Sequence, residues 1–108
     1  MRKAKVLFNH LLAGALSETE EGFVFQYDLQ YLQVKEAEPV SLTLPIKTEP
    51  YTSKVMFPFF DGLIPEGWLL EIAEKNWKIN ARDRMGLLLA CCRDCIGAVS
   101  IIDDSNLE

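Results

Sequence analysis

The sequence predicts an α+β domain: a small, mainly antiparallel sheet with two to three helices packed on one side. Two observations carry this. Strand-like alternation of apolar and polar residues dominates the first half, from Lys3 to Leu44. Helical spacing takes over in the second half, with a stripe at Met85, Leu88, Leu89 and Cys92, and a short apolar stretch around Gly97 closes the chain. Strands, then helices, then a closing strand is the order of an α+β fold, not of the alternating units that build a parallel sheet.

Residues 3–9 set Ala4, Val6 and Phe8 against Lys3, Lys5 and Asn9, a period of two with a basic outer face. Asn9-His10 marks a turn, and Leu12 to Ser17 returns as a second strand through Gly14. Glu18 to Gly22 is polar and acidic and predicts the next turn. Phe23-Val24-Phe25-Gln26-Tyr27 places three aromatics on one face and is the strongest strand signal of the chain. Asp28 can cap a short helical turn to Gln33, with Tyr31 and Leu32 facing inward. After a charged connection, Lys35 to Glu38, the alternation of Val40-Ser41-Leu42-Thr43-Leu44 predicts a strand ended by Pro45.

All five prolines (Pro39, Pro45, Pro50, Pro58 and Pro65) fall in the middle of the chain, where they punctuate loops and helix starts. Pro45 to Lys54 is the expected flexible loop. Phe57 to Ile64 predicts a short apolar helix ending near Gly62, and Pro65-Glu66 opens a longer one to about Trp77, with proline in the first turn and an acid at the positive helix end. A last helix is expected from an Asn80 N-cap, with Asp83 three residues on as a variant capping box. Residues 96–102 predict a buried strand, and 103–108 a frayed tail. No repeat, low-complexity tract or linker divides residues 1–108, which are expected to form one domain.

The totals exclude several function classes. The chain has 108 residues, 49% of them hydrophobic, and a net charge of −5. An acidic balance opposes a nucleic-acid groove, whose affinity comes from lysine and arginine neutralising phosphates. No stretch approaches the roughly 18–20 apolar residues of a membrane span. The basic start, Met1 to Lys5, lacks the apolar core and small-residue cleavage site of a signal peptide. Cys91, Cys92 and Cys95 lie in one short segment, a poor disulfide framework that fits a cytoplasmic chain with reduced thiols.

Catalytic signatures are missing. The glycines form no phosphate-cradling loop, no serine sits in a nucleophile elbow, and the single histidine, His10, is followed by Leu-Leu-Ala where a kinase catalytic loop would need Arg-Asp. Cys92-Arg93-Asp94-Cys95 matches C-x-x-C, but a zinc site wants four ligands and a redox pair a thioredoxin-like context, so packing thiols at a helix end are expected. No cofactor and no metal are called for.

Trp68 is the informative residue. On a helical wheel of about 100° per residue, Leu69, Ile72, Ala73, Asn76 and Trp77 form one face of the helix from Pro65, and Trp68 lies off it beside Glu71 and Lys75. Such a tryptophan is either an interface anchor or folds back over Ile64 or a neighbouring loop.

Several stretches resemble the N-terminal subdomain of HipA-type bacterial toxin kinases: Phe59-Phe60-Asp61-Gly62-Leu63-Ile64-Pro65-Glu66, Leu87-Leu88, and Arg93-Asp94-Cys95-Ile96-Gly97-Ala98-Val99-Ser100-Ile101. Pro39-Val40-Ser41-Leu42-Thr43-Leu44-Pro45 is similar to the family's P-x-S-L-x-L-P stretch, and Gly14-x-Leu16 with Phe25-x-Tyr27 to its opening strands. In HipA this piece precedes a large kinase body, whereas here the chain ends at Glu108, where the subdomain would end.

The resemblance therefore implies a free-standing member of the HipS type, an antitoxin that neutralises a separate HipT-like serine/threonine kinase in a complex with a HipB-like helix-turn-helix protein. The alternative it leaves open is a non-catalytic N-terminal subunit that supports the activity or assembly of a split HipA-like kinase. Neither makes the chain an enzyme. The expected partner-binding residues are Pro65, Glu66, Gly67, Trp68, Glu71 and Lys75, with Trp68 as a wedge near the kinase nucleotide site and Glu66 meeting its basic phosphate-binding groups. Direct nucleic-acid and membrane contacts are not expected.

Overall fold

The structure, a computed structural model, describes residues 2–64, 82–91 and 98–104. Five strands, β1 (Lys3–Phe8), β2 (Leu11–Thr19), β3 (Gly22–Tyr27), β4 (Tyr51–Ser53) and β5 (Val99–Asp103), form one sheet in the order β4-β3-β2-β1-β5, with every neighbouring pair antiparallel. Among the described residues there are three helices, α1 (Leu29–Leu32), α2 (Pro58–Asp61) and α3 (Arg84–Cys91). This is the predicted α+β architecture.

The hairpins follow from local chemistry. Asn9 and His10 both take positive φ, 50° and 70°, and join Phe8 to Leu11 as a two-residue turn. Such turns need left-handed backbone at both central positions, and Asn and His tolerate it better than most residues. Between β2 and β3, Glu20-Glu21 turns the chain, and Gly22 at φ 144° lies so close to the end of β4 that a Cβ would meet the Ser53 carbonyl oxygen at 2.1 Å. Glu18 and Thr19, expected in this turn, instead extend β2.

One extra residue, Ala13, bulges from β2: Val6 pairs with Gly14, but Leu7 pairs with Leu12. On its other side β2 keeps the β3 register: the Ala13 carbonyl accepts from the Asp28 amide at 2.8 Å, which joins the strand to the residue that caps α1.

One sheet face builds the core. Ala4, Val6, Leu16, Phe25, Tyr27, Val99 and Ile101 are buried from the strands, and Phe60, Ile64, Met85, Leu87 and Leu88 close over them. Phe25 and Phe60 meet with ring centroids 5.3 Å apart, and Phe59 and Phe57 pack edge-on to Phe60 at 5.1 and 6.0 Å. Burial of each such ring stabilises the fold by roughly 1.5–3 kcal/mol. This explains why the short α2 persists: its proline start fixes the first φ, and Phe60 nails it to β3.

Three expectations are corrected. Residues 40–44 form no strand. Val40 and Leu44 are buried while Leu42, which alternation would place on the same face, is 94% exposed, and Leu44 N–H donates to Ser41 C=O as a turn. The place beside β3 is taken by β4, from within the expected flexible loop, pairing Tyr51–Ser53 with Phe23–Phe25. Helix α3 is capped by Asp83, not entered from Asn80: the Asp83 carboxylate accepts from Gly86 N–H at 3.1 Å, and its carbonyl from Leu87 N–H at 3.0 Å.

At the end of the chain, strand pairing continues through Asp103, and Asp104 N–H still bonds the Lys3 carbonyl, so the first two residues of the expected frayed tail are held. Asn80, the helix expected from Pro65 to Trp77, the Cys92–Cys95 pair and residues 105–108 lie outside the described residues.

Candidate partner-binding site

The six residues expected to bind a partner, Pro65, Glu66, Gly67, Trp68, Glu71 and Lys75, lie outside the described residues. What surrounds them in sequence is described, and it is firmly built. The chain enters this stretch from Ile64, which is buried, and leaves it at Arg82 and Asp83, at the head of α3.

Two sets of ion pairs fasten this base. Arg84 Nε donates to Asp61 Oδ1 at 2.6 Å and ties the start of α3 to the end of α2. Arg2 lies between two carboxylates. Its Nε and Nη2 donate to both oxygens of Glu18 at 3.0 and 2.8 Å, and its Nη1 and Nη2 to both oxygens of Asp83 at 2.9 and 2.7 Å. One guanidinium thereby links the residue before β1, the end of β2 and the cap of α3. Its planar fork suits two bidentate partners in a way a lysine ammonium could not.

These hydrogen bonds hold the Glu18 and Asp83 carboxyls below the usual carboxylate range, against a smaller opposing effect of burial. The same bonds push the Arg2 guanidinium up. Gly86 supplies the space: a Cβ there would lie 2.4 Å from Asp83 Oδ2 and 3.0 Å from Arg2 Nη1. Sequence reading missed all of this. Arg2 registered only as part of a basic start, and no local pattern reports a pairing across 81 residues.

A second built feature lies in the loop after α1. All three tyrosines of the chain hold it. Tyr31 Oη donates to Glu38 C=O at 2.6 Å, and Tyr51 Oη to Pro45 C=O at 2.5 Å. Tyr27 Oη, in the core, accepts from Val40 N–H at 3.0 Å and donates to the Leu44 carbonyl. Burial raises the Tyr27 and Tyr31 phenols above their ordinary range. Lys47 Nζ sits 4.0 Å from the centre of the Tyr51 ring and covers its face.

Comparison with known proteins places this arrangement. The family model for the HipA N-terminal domain matches residues 4–102. The chain belongs to the HipA N-terminal domain family. A solved N-terminal domain of HipA toxin superposes with a TM-score of 0.75 at 29% identity, over 98% of this chain and 95% of that one. An uncharacterised protein of Haemophilus influenzae is 34% identical over 98% of this chain and 96% of its own length. A Sinorhizobium fredii protein named as a candidate kinase is 24% identical over 98% of this chain, which spans only 26% of that longer protein. The HipA N-terminal domain thus occurs among these relatives both as part of a large chain and as nearly a whole protein.

No helix among the described residues is long and apolar enough to cross a membrane.

Proposed function

We propose that this chain is a HipS-type antitoxin: a cytoplasmic, non-enzymatic HipA N-terminal domain that binds a HipT-like serine/threonine kinase and holds it inactive, in a complex that also contains a HipB-like helix-turn-helix protein. The observation that carries the reading is the family match over residues 4–102, taken with a relative whose whole length is little more than this domain.

The inhibitory contact is assigned to Pro65, Glu66, Gly67 and Trp68, flanked by Glu71 and Lys75. Trp68 supplies a large aromatic surface and Glu66 a carboxylate for basic phosphate-binding groups of the kinase. A desolvated tryptophan anchor contributes about 2–4 kcal/mol. The Asp61–Arg84 pair, joining the elements on either side of this stretch, supports the reading because a segment whose two ends are fastened loses less freedom when it binds.

Co-expression with a HipA-like kinase of the same genome, scored for growth, is the direct test. The wild-type chain restores growth, and Trp68→Ala does so poorly while its circular dichroism is unchanged. Phosphorylation by the purified kinase falls when the chain is added. A rise in phosphorylation would instead favour the supporting subunit of a split kinase, and no effect at all would end both readings.

A further inference from the structure

We infer that the sheet face opposite the core is an interface, and that its occupant is the kinase partner, in the place of the body that follows this domain in HipA. This rests on the kinase-binding reading above and adds to it a surface distinct from Trp68.

A sheet covered on one side ordinarily alternates apolar residues toward the core with polar ones toward water. Here the second half of that rule fails over part of the sheet. Leu7 and Ile102 alternate with the core residues Val6 and Ile101, so they lie on the outer face. Leu12 pairs with Leu7, and Ala15 and Ile102 flank Lys5 on either side. Leu12 is 41% exposed, and Leu29, at the start of α1, is 65% exposed. The bulge brings Leu12 here. In an unbroken ladder Ala13 would stand opposite Leu7, and Leu12 would turn to the core side. A merely solvated face does not call for leucines at these positions, and a contiguous apolar patch marks an interaction site.

Lys5, Leu12, Ala15, Gln26, Leu29 and Asp104 line one shallow hollow of about 340 Å³ on this face. Asp104 also carries an unmet need: its Oδ1 is buried and has no hydrogen-bond partner. A partner that brings a donor to this rim would satisfy it.

Two observations select the occupant. The first is where the ladder releases the chain. Asp104 N–H bonds the Lys3 carbonyl at the end of β5, and Asp104 stands on the rim of the hollow. The solved relative is the N-terminal domain of HipA toxin. In a protein built with this domain first, the chain that follows starts at this rim and reaches the apolar face with no linker to cross. The Sinorhizobium fredii candidate kinase, of which this chain spans 26%, has a body large enough to cover it. The second observation is Lys5, set in the middle of the apolar row. A symmetric pair of chains sets the patch against itself and opposes two such ammonium groups in desolvated surroundings, whereas a different partner can offer Lys5 a carboxylate.

The test uses the full-length chain and the purified HipA-like kinase of the same genome, with affinity read by calorimetry and size by sedimentation. Leu12→Gln/Leu29→Gln alters exposed side chains and melts like wild type but binds about tenfold or more weakly, and Leu12→Met/Leu29→Met keeps most of the affinity. Ala15→Glu, whose carboxylate can pair with Lys5 beside it, fills the hollow and weakens binding in the same way. The wild-type chain alone sediments as a monomer. Wild-type binding that all three variants match would overturn this inference and leave the kinase-binding reading intact. A wild-type dimer that Leu12→Gln/Leu29→Gln converts to monomer would overturn it in favour of a second copy. Absence of wild-type binding would overturn both readings.

Discussion

The loop at residues 38–45 and the base of α3 solve the same problem with opposite chemistry. Each fastens backbone that lies outside the sheet to the rest of the fold. The loop is held by neutral phenol hydroxyls, one of them in the core at 2% exposure. The base of α3 is held by two guanidiniums, Arg2 and Arg84, and three carboxylates whose side chains are 27–42% exposed. Buried neutral hydrogen bonds are insensitive to salt and costly to break, because each lost partner leaves a desolvated polar group behind. Half-exposed ion pairs are screened and individually weak, yet they reach across long separations. The two regions should therefore fail under different perturbations.

The largest effect is expected at Tyr27. Tyr27→Phe removes a hydroxyl that serves both Val40 N–H and Leu44 C=O, and it should cost about 2 kcal/mol in urea unfolding. The wild-type loop should also be sensitive to alkali. Both Tyr27 and Tyr31 ionise less readily when folded. The stability they give is therefore complete below the ordinary tyrosine range and declines as pH rises through that range toward the raised folded values. Unfolding midpoints recorded between neutral pH and pH ~11 would show this decline, centred on tyrosine ionisation. A flat profile would mean that the hydroxyls do not hold the loop.

A smaller loss is expected at Arg2. Arg2→Met keeps the aliphatic stem and removes the fork, leaving Glu18 and Asp83 without their cation. Given the solvent screening, the cost should be about 1 kcal/mol. Its signature is the pH and salt dependence. Glu18 and Asp83 have lowered folded values, so their contribution is complete above the ordinary carboxylate range and is lost as pH falls through it. Wild type should therefore lose more stability on acidification than Arg2→Met does, and the gap between the two should narrow in high salt. Equal acid sensitivity of the two proteins would show that the pairing gives no net stability.

The contrast also separates what the sequence discloses from what it does not. Strands β1, β2, β3 and β5 were legible because alternation is local: Ala4, Val6, Phe25 and Ile101 announce their buried face within a few residues. The turn at 40–44 has the same alternation and is not a strand, because Tyr27 meets its backbone groups and Tyr51–Ser53 takes the ladder beside β3. Nothing within residues 40–44 encodes that competition. Asn80 is as good a cap by composition as Asp83, and Arg2, at the far end of the chain, sits on the one the helix uses. The residues proposed for the partner site lie outside the described residues and rest on the motif and the wheel position of Trp68 alone, whereas the ion pairs on either side of that stretch have no sequence signal, since each joins positions at least 16 apart.

The smallest and sharpest effect concerns Gly86. Glycine inside a helix costs about 1 kcal/mol relative to alanine. On an exposed helix face Gly86→Ala would therefore stabilise. Here the added Cβ would displace the Asp83 carboxylate, weakening both the cap and the contact with Arg2. Loss of a cap costs about 1 kcal/mol and loss of a screened pair up to about 1 kcal/mol more. Gly86→Ala should thus be destabilising by up to about 1 kcal/mol in the wild-type chain, from the difference of these amounts. In an Asp83→Ala background there is no carboxylate to displace, and the same substitution should become stabilising by about 1 kcal/mol. A change of sign between the two backgrounds, read from denaturation midpoints, is what the clasp requires, because helix propensity alone gives the same sign in both.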